Sequence, residues 1–91
     1  MRIDLHPRFA ARVAKMSLAD RNRIADCLCT LRDGFGFPHL HSGLGIRRLR
    51  KGLFECRAAL HWRIIFFAEK GLITAYDVMT HDQVKAWLRS F

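Results

Sequence analysis

Very short connections separate the strand-like segments in the second half of the chain, and they restrict the fold more than any other feature. Residues 46–79 contain four segments rich in apolar and β-branched residues, interrupted at residues 51–52, 60–61 and 69–71. Parallel neighbouring strands need a crossover of about a dozen residues or more, whereas a tight turn joins antiparallel strands. The sequence therefore predicts an antiparallel four-stranded sheet.

Two helices are predicted before this sheet. Pro7 suits the first turn of a helix, and apolar residues including Phe9 and Val13 follow it at helical spacing. The second helix is expected to begin at Ser17, a residue type that caps helix N-termini, and to end at Gly34. A tight turn near Ser17 would join the two helices.

Two short elements complete the predicted order. An extended segment at residues 3–5 precedes the helices, and a short helix capped by Thr80 closes the chain. We therefore expect a single α+β domain over residues 1–91, with two N-terminal helices packed on one face of the antiparallel four-stranded sheet. A short C-terminal helix follows the sheet.

Positive charge is the most informative property of the composition. Sixteen Lys and Arg residues stand against eight Asp and Glu residues, which gives a formal net charge of +8. Four of the cations are close together on one predicted strand: Arg47, Arg48, Arg50 and Lys51. Such a field favours a polyanionic partner, either a nucleic acid or an acidic protein segment.

The sequence favours a cytoplasmic protein without a metal or another cofactor. Neither a secretion signal nor an apolar stretch near the ~20 residues that span a bilayer is evident. The three cysteines, which cannot all pair within one chain, are expected to stay reduced. His39 and His41 lack a Cys or acidic ligand at matching spacing, so no metal site is expected there.

Alternation along the strands separates a core face from a polar face. In the segment after residue 52, Phe54 and Cys56 are predicted to face the helices, while Glu55 and Arg57 face the other side. Arg63, on the next strand, is expected to join Glu55 and Arg57, together with whichever of Arg47 and Arg48 points the same way. The simplest interpretation of Glu55 among these arginines is a cross-strand ion pair.

The last strand and the turns add further expectations. Strict alternation in this strand groups Tyr76 with Val78 on one face and Asp77 with Met79 on the other. His61 lies in a predicted turn and is expected to be a bystander, whereas His81 follows the last strand directly.

Four segments of the chain resemble the RelE/ParE superfamily of bacterial type II toxins. They are the sequences IRRLRKGLFECR at 46–57, HWRIIFF at 61–67 and GLITAYDVMTHDQV at 71–84, preceded by the helical HPRFAARVAKMSLADRNRIADCLCTL at 6–31. The shared pattern is a basic strand, a strand with Glu-x-Arg, a strand with an aromatic residue before Arg, and a His-containing C-terminal motif. The resemblance covers nearly the whole chain.

This resemblance implies a small toxin that cleaves mRNA, commonly at the ribosome, and that a cognate antitoxin holds inactive. The family's arginine for phosphate or transition-state contact corresponds to Arg63, and its C-terminal catalytic position corresponds to His81. The tyrosine that many relatives carry in the last segment is absent here, because only Trp87 lies nearby.

Attack by an RNA 2′-hydroxyl requires a base, an acid and positive charge near the phosphorane. We assign Arg63 to the phosphate, His81 as general acid or base, and Glu55 as base or as a residue that orients an arginine. RNA or ribosome affinity is assigned to the remaining cations, Arg47, Arg48, Arg50, Lys51 and Arg57. Two alternatives stay open: a ParE-like inhibitor of DNA gyrase, and a non-catalytic module that binds nucleic acid or a protein.

Overall fold

A computed structural model describes residues 1–37 and 43–91, so His39 and His41 lie outside the described residues. Five strands and three helices follow one another in these residues: β1 (Arg2–Leu5), α1 (Pro7–Ala14), α2 (Leu18–Gly34), β2 (Arg47–Arg50), β3 (Leu53–Arg57), β4 (Arg63–Glu69), β5 (Leu72–Met79) and α3 (His81–Ser90). The predicted α+β class is confirmed. None of the helices in the described ranges is long and apolar enough to cross a membrane.

The sheet differs from the prediction in its first strand. Its order is β1-β5-β4-β3-β2, and the neighbours from β2 to β5 are antiparallel as expected. The segment that contains Ile3, however, pairs in parallel with β5 and makes the sheet five-stranded and mixed. The helices and the other strands form the crossover that a parallel neighbour requires, so the local turns gave no sign of this pairing.

Helices cover both faces of the sheet. On one face, Phe9 of α1 and Ile24, Cys27 and Leu31 of α2 pack in the main core with Cys56 and other sheet residues, as predicted. On the other face, Val84 of α3 is buried in a second, smaller core with Leu53, Ile65 and Met79. The polar face expected from the sequence is therefore partly covered by α3.

A β-bulge in β5 reverses the predicted alternation of that strand. Ile65 pairs with Asp77, whereas the next residue, Phe66, pairs with Ala75, so Tyr76 is an extra residue. Beyond it, Val78 packs in the main core, while Met79 joins the α3 side. The expected grouping of Tyr76 with Val78 is wrong for this reason, and Asp77 and Tyr76 both contact residues outside the main core.

Candidate functional site

Three of the residues predicted for a site, Arg57, Arg63 and His81, lie at one end of the sheet. At this end β3 stops at Arg57, β4 starts at Arg63, and β5 stops at Met79, just before His81 begins α3. Antiparallel pairing places these three strand ends side by side, and we call this edge the His81 end of the sheet.

Two arginines lie directly opposite each other at the His81 end. Arg57 pairs with Arg63 across the β3–β4 ladder, so the two side chains share a face of the sheet. Arg57 is exposed, and the side chain of Arg63 makes one long hydrogen bond, from Nη1 to the carbonyl of Trp62 at 3.5 Å. Within residues 1–37 and 43–91, neither guanidinium forms an ion pair with a carboxylate. Both arginines are therefore without a carboxylate partner in the described chain and can take a bound anion.

A cleft of about 200 Å³ lies at the same end and contains two histidines. It is lined by Leu60, His61, Thr80, His81 and Asp82. His61 belongs to the β3–β4 turn, which the backbone closes through a 3.0 Å hydrogen bond from Ala58 N–H to the Trp62 carbonyl. The sequence did not indicate that His61 and His81 line one cleft, because this depends on where the turn meets the start of α3.

The β3–β4 turn is also anchored to α2. The indole Nε1 of Trp62 donates to a carboxylate oxygen of Asp20 at 3.1 Å. Asp20 in turn lies in the first turn of α2, where its backbone N–H donates to the Ser17 hydroxyl that caps the helix. This chain of contacts holds His61 next to the rigid N-terminus of a long helix.

The start of α3 is equally well defined. Thr80 caps the helix as predicted, accepting from the Gln83 N–H at 3.2 Å, while the Gln83 side chain accepts from the Thr80 N–H at 2.9 Å. The N–H groups of His81 and Asp82 are in the first turn and have no acceptor within the helix. Both residues line the cleft, which therefore lies at the positive end of the helix dipole, a favourable place for a phosphate.

Glu55 lies on the predicted face, but it is buried. It is 4% exposed, and its Oε1 forms an ion pair with Arg47, whose Nη2 lies 2.9 Å away. The other oxygen, Oε2, is buried and accepts no hydrogen bond in the part of the chain that the structure describes. This geometry favours Glu55 as a residue that positions Arg47 over Glu55 as an accessible base.

The other predicted basic residues are distributed over several places. Arg48 pairs with Phe54 and therefore lies on the opposite face from Arg47. Arg50 donates to the Leu88 carbonyl in the last turn of α3 at 3.3 Å, which stabilises that helix end. Lys51 occupies the β2–β3 turn, beyond Leu53, which itself lies roughly 13 Å along β3 from Arg57. Only Arg47 and Arg57 accompany Arg63.

A second polar network, which the sequence did not indicate, lies between α1 and β5. Asp77 is 1% exposed and accepts two hydrogen bonds from Arg12, at 3.0 and 3.1 Å. These hydrogen bonds raise the pKa of Arg12 above its ordinary value. Arg8 lies 3.9 Å from the same carboxylate and donates to the Tyr76 hydroxyl at 2.8 Å. The network attaches α1 to the bulged part of β5.

All three cysteines are free thiols, as expected. Cys27 and Cys56 are buried with their sulfur atoms 3.6 Å apart, and Cys29 is exposed. The hydrogen bond with Cys27 and the burial of the thiol raise the pKa of Cys56. Among the described residues there is no group of three or more His, Cys, Asp or Glu side chains that could hold a metal ion.

Solved structures share this architecture. RelE in an archaeal RelE–RelB complex from Pyrococcus horikoshii OT3 superimposes with a TM-score of 0.71 at 14% identity, covering 87% of this chain and 92% of the other. The Escherichia coli DinJ–YafQ complex gives a TM-score of 0.70 at 22% identity, covering 92% of this chain and 98% of the other. The chain has the RelE/ParE toxin fold. A YoeB/ParE toxin from Agrobacterium tumefaciens also matches this RelE/ParE-like chain, with a TM-score of 0.64 at 14% identity. The match covers 89% of this chain and 99% of the other.

The resemblance seen in the sequence is thus confirmed for the fold. No protein-family model matches the chain, and no curated protein matches its sequence. The activity of this RelE/ParE-like chain has to be argued from the residues at the His81 end of the sheet.

Proposed function

We propose that this chain is the toxin of a type II toxin–antitoxin system and acts in the cytoplasm as an endoribonuclease on ribosome-bound mRNA. One observation carries the proposal: Arg57 and Arg63, which have no carboxylate partner in the described chain, lie at the same sheet end as a cleft lined by His61 and His81. Paired guanidinium groups bind phosphate, and two imidazoles can act as an acid and a base.

The proposed reaction uses the RNA's own 2′-hydroxyl as nucleophile. One histidine takes the hydroxyl proton, the 2′-oxygen bonds to phosphorus, and the bond from phosphorus to the 5′-oxygen breaks. The other histidine protonates the leaving 5′-oxygen, which leaves a 2′,3′-cyclic phosphate and a free 5′-hydroxyl. Arg63 and Arg57 stabilise the charge on the phosphorane. This assignment adds His61 to His81 and makes Glu55 a positioning residue.

Binding of the mRNA and the ribosome would rely on the wider positive field. Arg47 and Arg57 extend the anion site across the sheet face, while Arg48, Arg50 and Lys51 contribute charge from the β2 edge. Because such binding releases counterions, its affinity should fall steeply with salt.

An antitoxin is the proposed protein partner. Several of the solved structures with this fold are antitoxin–toxin complexes, among them RelB–RelE from Methanococcus jannaschii and DinJ–YafQ from E. coli. The net charge of +8 favours a partner that presents acidic residues.

The purified chain in a translating extract tests the nuclease. We expect breaks in the mRNA at fixed codon positions, and loss of both breaks and growth arrest in soluble, folded Arg63→Ala and His81→Ala variants. Intact mRNA with inhibited DNA supercoiling would instead support the ParE-like activity that the similarity to a YoeB/ParE toxin suggests. If neither effect is seen, the remaining interpretation is a non-catalytic binding module.

A further inference from the structure

A groove between α1 and α3 lies outside the residues assigned to RNA cleavage. It has a volume of about 230 Å³ and is lined by Arg8, Arg12, Asp77, Met79, Gln83 and Trp87. A second cavity of about 370 Å³ shares Arg8 and Arg12 and continues along α1 to Lys15. Arg8, Arg12 and Lys15 recur at intervals of four and three residues, so they form one basic stripe on the helix.

The two arginines are oriented and still have free donors. Arg12 uses Nε and Nη2 for Asp77, and Arg8 uses Nη1 for the Tyr76 hydroxyl. Arg12 Nη1 and Arg8 Nη2 make no hydrogen bond within the described chain, and both side chains are about half exposed, at 43% and 52%. Because Asp77 and Tyr76 already fix these guanidinium groups, an incoming carboxylate would order them at little entropic cost.

Part of the groove wall is apolar, formed by Met79 and Trp87. Trp87 contacts Tyr76 and Phe91, with ring centroids 5.8 and 4.5 Å apart, and Met79 lies beside it in the smaller core. Phe91 is 61% exposed. Trp, Tyr, Met and Arg together are typical of the centres of protein–protein interfaces.

We infer that this groove binds an acidic peptide segment of a protein partner, with a carboxylate on Arg8 and Arg12 and an apolar side chain against Met79 and Trp87. The buried anion Asp77 offsets one of the three cations, which weakens the field that RNA binding uses. Where the segment belongs to an antitoxin, the inference rests on the function proposed above.

The test measures binding of a short labelled peptide rich in glutamate and leucine by fluorescence anisotropy. Arg8→Ala should weaken binding about tenfold, the loss of roughly one charge-assisted contact, and replacing glutamate by glutamine in the peptide should weaken it at least as much. Arg21→Ala, which removes an exposed cation from α2, should leave the affinity unchanged. Arg8 is substituted in this test, and not Arg12, because Asp77 still has Arg12 as its partner when Arg8 is removed.

Peptide binding should shift the nuclear magnetic resonance of the Trp87 indole N–H and leave that of Trp62, which donates to Asp20, in place. Equal affinity for the glutamine peptide, or unchanged binding by Arg8→Ala, would overturn the inference. A short oligouridylate that binds in an Arg8-dependent manner, with no binding of the acidic peptide, would assign the groove to nucleic acid instead. Because no RNA cleavage is measured, failure here leaves the nuclease proposal standing.

Discussion

Arg57 and Arg63 face each other across the β3–β4 ladder without a carboxylate between them in the described chain. Like charges directly opposite on neighbouring strands destabilise a sheet by roughly 0.2–1 kcal/mol. A sheet that retains them therefore gives up stability at a place where an anion would recover it.

We predict that Arg57→Thr raises the free energy of unfolding by a few tenths of a kcal/mol up to about 1 kcal/mol at low salt, and less at high salt. Urea denaturation at two salt concentrations measures this. Inorganic phosphate should stabilise the wild type more than the variant. Arg48→Thr, an exposed strand residue opposite Phe54, is the matched control and should show no such gain. Lower stability of Arg57→Thr at low salt would contradict the repulsion.

The two histidines of the cleft should act as a pair. With RNA cleavage as the readout, His61→Ala and His81→Ala should each lower the rate by about 10²–10⁴. Cleavage rates in the translating extract measure the effect. Wild-type cleavage by the His61 variant would return that residue to the bystander role first expected from its position in a turn.

Substitution of Arg12 should lower the free energy of unfolding more than substitution of Asp77. Removing Arg12 leaves the carboxylate of Asp77, whose side chain is 2% exposed, with the Val78 N–H at 2.7 Å and with Arg8 at 3.9 Å as its nearest cation, whereas Asp77→Asn leaves an arginine that can turn to water. We expect Arg12→Ala to cost about 2–4 kcal/mol of unfolding free energy and Asp77→Asn about half of that. Thermal or urea denaturation compares them, and equal losses would show that the buried charge does not determine the cost.

Cysteine reactivity should follow burial. In the native chain, only the exposed Cys29 should react quickly with a thiol reagent, because Cys27 and Cys56 are buried and the raised pKa of Cys56 keeps its thiol protonated. Mass spectrometry of the labelled protein counts one fast site, and denaturant should expose the other two. Rapid native labelling of Cys56 would indicate that the contact between α2 and β3 opens readily.

The parts of the fold that depend on local signals could be predicted from the sequence. Short turns determined the antiparallel strand neighbours, and Ser17 and Thr80 marked the helix starts through capping chemistry that acts over three residues. Alternation in β3 placed Glu55 and Arg57 on one face, which their pairing with Arg47 and Arg63 bears out.

The features that sequence reasoning missed depend on residues far apart in the chain. By strict alternation, Asp77 is an ordinary residue of its strand. The bulge at Tyr76 turns its side chain toward Arg12, which lies 65 residues earlier in the chain. His61 lines the same cleft as His81, and the β3–β4 turn that carries it is held against α2 by the hydrogen bond from Trp62 to Asp20. No local pattern records either event.

Substitution of Glu55 distinguishes a positioning role from a catalytic role. Its carboxylate is buried and holds Arg47 at 2.9 Å, so Glu55→Gln, which keeps the shape and one acceptor oxygen, should lower RNA cleavage by less than about tenfold. A general base in that position would instead lose about 10²–10⁴ in rate. The substrate dependence of the rate adds a second readout, since a misplaced Arg47 should raise KM more than it lowers kcat. Arg47→Ala should reproduce the same kinetic change, and combining it with Glu55→Gln should add little, because the two residues act through one contact. A large fall in kcat for Glu55→Gln alone would show that Glu55 acts as the general base.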